Sequence, residues 1–196
     1  MKIKNLIDII RNRRNVLEFD PNRDVKQKDI DNILKAARWA PSAGNSQPWE
    51  LIIIRSSKTK EKLAEIHAAA MNKQEYKKNL PDAYLDASLL IAVCVNSGVK
   101  EKYPDVFSKE FLVDASIGAL IENMWLATVT LGLGMGMGSQ PLSVQDKIRE
   151  LLKIPENLWV SEIIQIGYPV GSTEKTDRRK LKEFVHEENL DKSKLR

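Results

Sequence analysis

The chain has 196 residues, 42% of them apolar and 30% charged, with 31 basic against 27 acidic side chains. That composition excludes overall disorder, and the length fits one domain able to bury its own core. The net charge of +4 is too small to imply a nucleic-acid partner, so an anionic small molecule is at least as good a match.

The lone Cys94 cannot form an intrachain disulfide, and it sits in an apolar run that reads as a buried strand. His67 and His186 are too far apart in sequence to pattern a zinc site. The Met1–Lys4 start turns polar again at Asp8 and Arg11, unlike a signal peptide, and no uninterrupted apolar run reaches membrane-span length. The expectation is a cytoplasmic protein with no membrane partner.

In chain order, Ile3, Leu6, Ile7 and Ile10 mark one face of a first helix. It runs into Arg11, Arg13 and Arg14, which read either as a solvated helix end or as an anion cradle. A second helix spans 27–39 with Ile30, Ile33, Leu34 and Ala37 inward, and Leu51–Ile54 reads as a strand. Ser57 is placed to cap a helix through about Met71. Residues 72–84 are polar and lysine-rich, a connection or short helix that with 98–107 forms a candidate lid carrying Tyr76, Tyr84 and Phe107. Residues 89–95 fit a strand buried on both faces.

The longest helical pattern, Ser108 to Leu131, is apolar nearly all round, so part of its burial is expected against a second subunit. Gly132, Gly134, Gly136 and Gly138 then alternate with apolar residues. They form neither a Walker A loop nor the dinucleotide fingerprint, but suit a strand over which something flat passes closely. Ser143 to Leu152 reads as a helix, Val160 to Ile166 as a strand, and the basic, apolar-dotted tail as a segment that docks on another surface. Trp39, Trp49, Trp125 and Trp159 read as core or interface anchors.

Between the second helix and the strand at Leu51 lies Ala40-Pro41-Ser42-Ala43-Gly44-Asn45-Ser46-Gln47-Pro48-Trp49. Small residues let a flat ligand approach the backbone, amides and hydroxyls can bond its edge, and prolines pre-set both ends. Taken alone, the same residues also make a rigid surface loop.

With these segments in place, the chain resembles the nitroreductase family. Arg13 to Phe19, the Ala40–Trp49 loop, the glycine-rich stretch from Gly132, and Gly167-Tyr168-Pro169 followed by Arg178 to His186 match its motifs in order. The resemblance implies an α+β sandwich, with a mostly antiparallel central sheet flanked by helices in an intertwined homodimer. It further implies one domain over 1–196 with the tail from about 170 crossing to the partner. FMN is the implied cofactor, with NADH or NADPH as co-substrate. Arg13, Arg14 and Arg178 would meet the phosphate and ribityl chain, and Asn15 stands where serine is usual. Pro41, Ser42, Ala43 and Asn45 of the other subunit would line the flavin, and Met137, Gly138 and Ser139 would pass near its ring. Leu17 in place of a basic residue, Met135 and Met137 in the glycine-rich strand, and Glu122 in place of glutamine depart from the family pattern.

The implied function is hydride transfer from NAD(P)H through FMN to a nitroaromatic, quinone or similar acceptor, with no protein catalytic dyad and no metal. The alternative is a flavin-binding protein without efficient turnover, acting as a sensor or store. A nucleic-acid-binding role would need the two arginine clusters to face a polyanion, whereas flavin phosphate uses the same residues.

Overall fold

The computed structural model describes residues 3–71, 80–96, 98–99, 111–171 and 175–194. Four strands, β1 (Trp49–Ile54), β2 (Leu89–Asn96), β3 (Gly134–Ser139) and β4 (Leu158–Gly167), form one sheet in the order β1-β2-β4-β3. Every pairing is antiparallel. The α+β expectation therefore holds. β2 lies inside the sheet and is buried from Leu89 through Val95. Alternate side chains feed two separate cores, as the two-residue period of a strand requires. Leu89, Ile91, Val93 and Val95 join the first; Leu90, Ala92 and Cys94 join the second.

The first core is covered by α2 (Gln27–Arg38) and the long α5 (Phe111–Thr130). Ile30, Ile33 and Ala37 recur at helical spacing on the buried face of α2. α5 is apolar and long enough to cross a membrane by composition over Leu112–Thr130, yet Ile117, Leu120 and Met124 are buried in the first core. The opposite core is covered by α3 (Ser57–Met71), α4 (Leu80–Asp86) and α6 (Gln145–Leu152). Ser56, not Ser57, opens α3: its carbonyl accepts from Lys60 N–H at 3.0 Å and its hydroxyl from Thr59 N–H at 3.4 Å. Lys60 is buried and donates Nζ to the carbonyls of Leu85 and Ala87, at 2.9 and 2.7 Å, where α4 ends.

α1 (Ile3–Asn12) meets α5, but Ile7 and Ile10 stay exposed. Beside them, Leu6, Ile9, Ala36, Trp39, Leu126 and Ala127 line a groove of about 320 Å³ between α1, α2 and α5. Trp39 is 83% exposed there, so among the described residues it is not a core anchor.

The glycines of β3 have a different use from the one expected. Gly134, Gly136 and, on β4, Gly167 share one sheet face, and what passes over it is the chain itself. A Cβ on Gly136 would lie 2.2 Å from the Val16 carbonyl oxygen, and one on Gly167 would lie 2.9 Å from Phe19 Cδ1. Val16 N–H donates to Met135 O at 3.1 Å and Asp20 N–H to Tyr168 O at 2.9 Å, fastening the segment after α1 to β3 and to the residue that follows β4. Leu17 packs on the same core, which is what this position does in place of a basic contact.

Candidate functional site

α1 ends with exposed carbonyls, and Arg14 folds back on them: one Nη1 donates to Arg11 O and to Arg13 O, each at 2.7 Å. Trp125, on α5, donates Nε1–H to Arg14 O at 2.9 Å and pins the turn. The Arg13 guanidinium stacks over the same indole, 4.6 Å from a ring centroid, and its Nε lies 3.6 Å from Glu122 Oε1. A cleft of about 700 Å³ opens beside this turn, lined by Arg11, Arg13, Arg14 and Glu122 on one side and by Lys175, Asp177 and Arg178 of the tail on the other. Both ends of the chain thus place guanidinium groups in one depression. Arg14 Nε is buried without a hydrogen-bond acceptor among the described residues, and a buried charged donor in that state calls for an anion.

A second cavity, about 400 Å³, continues past Glu122 and is lined by Ile117, Ile121, Trp125 and Met137 with Asp114 and Glu162. Asn15 ties the two together: its Oδ1 accepts from Met137 N–H at 2.9 Å. Donation from the Asn15 side chain to any ligand therefore falls to Nδ2. Met135 O and Met137 N–H both point to the outer edge of β3, so by the alternation of an antiparallel ladder Ser139 N–H points there too. The Ser139 hydroxyl donates to Glu162 Oε1 at 3.0 Å. Gln140 holds the end of the strand from behind, donating Nε2 to Gly138 O and, at 3.0 Å, to the buried Tyr84 hydroxyl. Burial pushes the Tyr84 phenol well above its usual range; the Gln140 bond opposes this and Glu162 adds to it. Tyr84 is thus a protonated core residue and not part of a lid. Tyr76 and Phe107, and most of the expected lid, lie outside the described residues.

The loop after α2 is elsewhere. Asn45 and Gln47 have φ of 52° and 47°, with Gly44 at 58°, so two non-glycine residues hold the left-handed conformation at a cost of about 1–2 kcal/mol each. Ser42 Oγ accepts from Gln47 N–H at 3.0 Å, and Ala43 N–H donates to Ser116 Oγ at 3.3 Å. Ser116 lies on the side of α5 turned away from Gly118, Glu122 and Trp125, as successive 100° steps along a helix require. Pro41, Ser42, Ala43 and Asn45 line neither cavity. The structure brings Arg13, Arg14, Asn15, Met137 and Arg178 together within one chain, sets Gly138 and Ser139 at the adjoining strand end, and leaves the loop on another face. The Arg13–Glu122–Trp125 cluster was not read from the sequence. Its signals there are the charged Glu122 in a mostly apolar helix and the departure from the glutamine that the family pattern has at this position.

The fold and the cleft define an α+β protein with an arginine-rich cleft of about 700 Å³ beside a glycine-rich strand. The Nitroreductase family signature matches residues 10–168. The chain is 35% identical over 166 residues to an Archaeoglobus fulgidus protein named "Putative NADH dehydrogenase/NAD(P)H nitroreductase", covering 83% of this chain and 84% of that one. Its fold is similar to that of the NADPH:FMN oxidoreductase of Vibrio harveyi complexed with NAD+, with a TM-score of 0.78 at 20% identity, covering 96% and 79% of the two chains. It is also similar to an FMN-dependent nitroreductase of Clostridium difficile, with a TM-score of 0.74 at 23% identity, covering 94% and 99%. The chain belongs to the nitroreductase family and is an oxidoreductase.

Proposed function

We propose that the chain works as a homodimer that binds FMN and reduces an electron-poor acceptor, such as a nitroaromatic or quinone, at the expense of NADH or NADPH. One observation carries the reading: Arg13, Arg14 and Arg178 converge from opposite ends of the chain on one cleft, where Arg14 Nε is buried and has no partner among the described residues. These guanidinium groups hold the phosphate, for which their planar fork is suited. Asn15 Nδ2 donates toward the ribityl chain while Oδ1 fixes Met137. The Met137–Ser139 backbone forms a wall for the flavin ring, with Ser139 N–H as the donor on the open edge of β3. Bound FMN would supply the redox chemistry, taking hydride from the nicotinamide and passing electrons to the acceptor in two half-reactions.

Pro41, Ser42, Ala43 and Asn45 complete the site from a second copy. Three features support this. The loop sits on the face of α5 away from its own cleft, it holds two non-glycine residues in the left-handed conformation, and Trp39, Ile7 and Ile10 are exposed apolar side chains nearby. The tail from about 170 reaches over the partner. Leu181 at 72% exposed and Phe184 at 47% support that role, since neither has found a core in its own chain. The whole chain, 1–196, forms one such domain.

The test is a titration of the purified protein with FMN, followed by anaerobic NADH or NADPH. The expected result is a yellow complex that bleaches with reduced nicotinamide and recovers its colour with a quinone. Protein that never binds FMN refutes the reading. Tight FMN with no nicotinamide oxidation under any acceptor would make the chain a flavin store or sensor.

A further inference from the structure

Resting on that reading of the cleft, we infer that Glu122 is a built-in competitor for the flavin phosphate and sets how firmly this chain holds FMN. Glu122 stands where the two cavities meet and lines both. Its carboxylate lies 3.6 Å from Arg13 Nε, a charge contact longer than a hydrogen bond. It therefore does little to aim the guanidinium. Trp125 does that, by stacking on Arg13 at 4.6 Å while its Nε1–H pins the neighbouring Arg14 carbonyl. Glu122 contributes its charge: it already neutralises part of the positive field that a phosphate would otherwise meet, and Asp8 and Asp177 on the cleft wall act in the same direction. A phosphate entering the cleft must share Arg13 with this carboxylate or displace it. The side chain is 44% exposed, so it has solvent into which to swing. FMN thus binds against a standing charge, and the complex is more easily dissociated than the three arginines alone would make it.

Flavin fluorescence quenching tests this, with FMN and riboflavin each titrated into the full chain and into its Glu122→Gln and Glu122→Ala variants. Riboflavin carries the ring and ribityl chain without the phosphate, so it separates a charge effect from a change in the ring site. At low ionic strength both variants are expected to bind FMN about three- to tenfold more tightly than the parent, with riboflavin affinity unchanged and the gain shrinking as salt is raised. Two different replacements keep the outcome from hanging on the folding of one. Unchanged or weaker FMN binding in both overturns the inference, weaker binding marking Glu122 as an aligner of Arg13. A gain equal for FMN and riboflavin also overturns it, since the effect would then lie at the ring. A parent chain that binds neither flavin refutes the proposed function itself.

Discussion

Replacing Gly136 by alanine probes the crossing that builds the site. The added Cβ would stand 2.2 Å from Val16 O, 2.5 Å from Gln165 Oε1 and 3.3 Å from Leu17 Cδ2. The first is a backbone atom about 1 Å inside contact distance, and it has nowhere to rotate. Val16 is fastened by its N–H to Met135 O at 3.1 Å, and Asn15 by its Oδ1 to Met137 N–H at 2.9 Å. Lifting the segment strains or breaks both bonds, about 1 kcal/mol each, on top of about 1–3 kcal/mol for overpacking. The expected loss is about 3–5 kcal/mol, a large share of a typical domain's stability. Urea unfolding of the flavin-free protein measures it as a fall in midpoint at constant slope. Gly118→Ala is the matched control: no atom lies within 4 Å of its Cβ, and it sits within α5, so a gain of up to about 1 kcal/mol is expected. A Gly136→Ala loss below about 1 kcal/mol would refute the claim that Asn15 to Leu17 is fixed against β3.

Three further outcomes are expected. Burial, aided by Glu50 on the paired strand, pushes the Cys94 thiol up to about 11. The folded chain then keeps a proton that the unfolded chain loses from about pH 9. The Cys94 contribution therefore falls as pH rises from about 9 to 11, by about 2–3 kcal/mol, and a Cys94→Ala variant loses less stability than the parent across that window, keeping only the slope that Tyr84 adds above about pH 10. Lys60→Met strips the carbonyls of Leu85 and Ala87 of their donor and is expected to cost about 2–4 kcal/mol by the same assay; a neutral result would show that α4 ends are satisfied otherwise. Trp39→Asp removes nothing from the chain's own core, so the fold should persist while sedimentation shifts toward monomer and FMN affinity drops. A stable dimer with full FMN affinity would place the interface elsewhere.

The parts of the fold legible in the sequence were those whose burial pattern is local. Leu89 to Val95 read as a two-sided strand because every residue is apolar, and α2 read correctly because its apolar positions recur at helical spacing. The glycine alternation reads as a strand over which something flat passes, and the chain's own Val16–Leu17 segment is what lies there. Periodicity says that a sheet face is cleared, not what clears it, and only the long-range bond of Val16 to Met135 identifies the occupant. Tyr84 read as lid because its neighbours in sequence are polar. Its burial depends on Gln140, distant in sequence and recruited through the end of β3. Arg13, Arg14 and Arg178 are named from motif order, but charge patterning does not reveal that Trp125 sets where Arg13 points or that Glu122 stands beside it.

The same geometry bears on why a motif as recognisable as Pro41 to Trp49 stayed ambiguous when read as part of one chain. A loop that pays for two left-handed non-glycine residues, and that buries the Ser46 hydroxyl without a partner among the described residues, fits the proposed contact with a second copy. α5 explains the separation. Its Ser116 face takes the loop, and its Glu122–Trp125 face takes the arginine turn, so one helix presents the two halves of the proposed site in opposite directions. A second copy that laid its loop against this chain's cleft would expose its own cleft to the first loop, giving two equivalent sites by one twofold contact. Asn45→Asp, which keeps a residue tolerant of the φ of 52° there, is therefore expected to weaken FMN binding while leaving the stability of the flavin-free protein within about 0.5 kcal/mol, because Asn45 is exposed in its own chain. Mixing that variant with an Arg14→Ala chain should restore FMN binding to one site per dimer, the site whose arginines and loop are both intact. No restoration on mixing would mean that each chain builds its site alone.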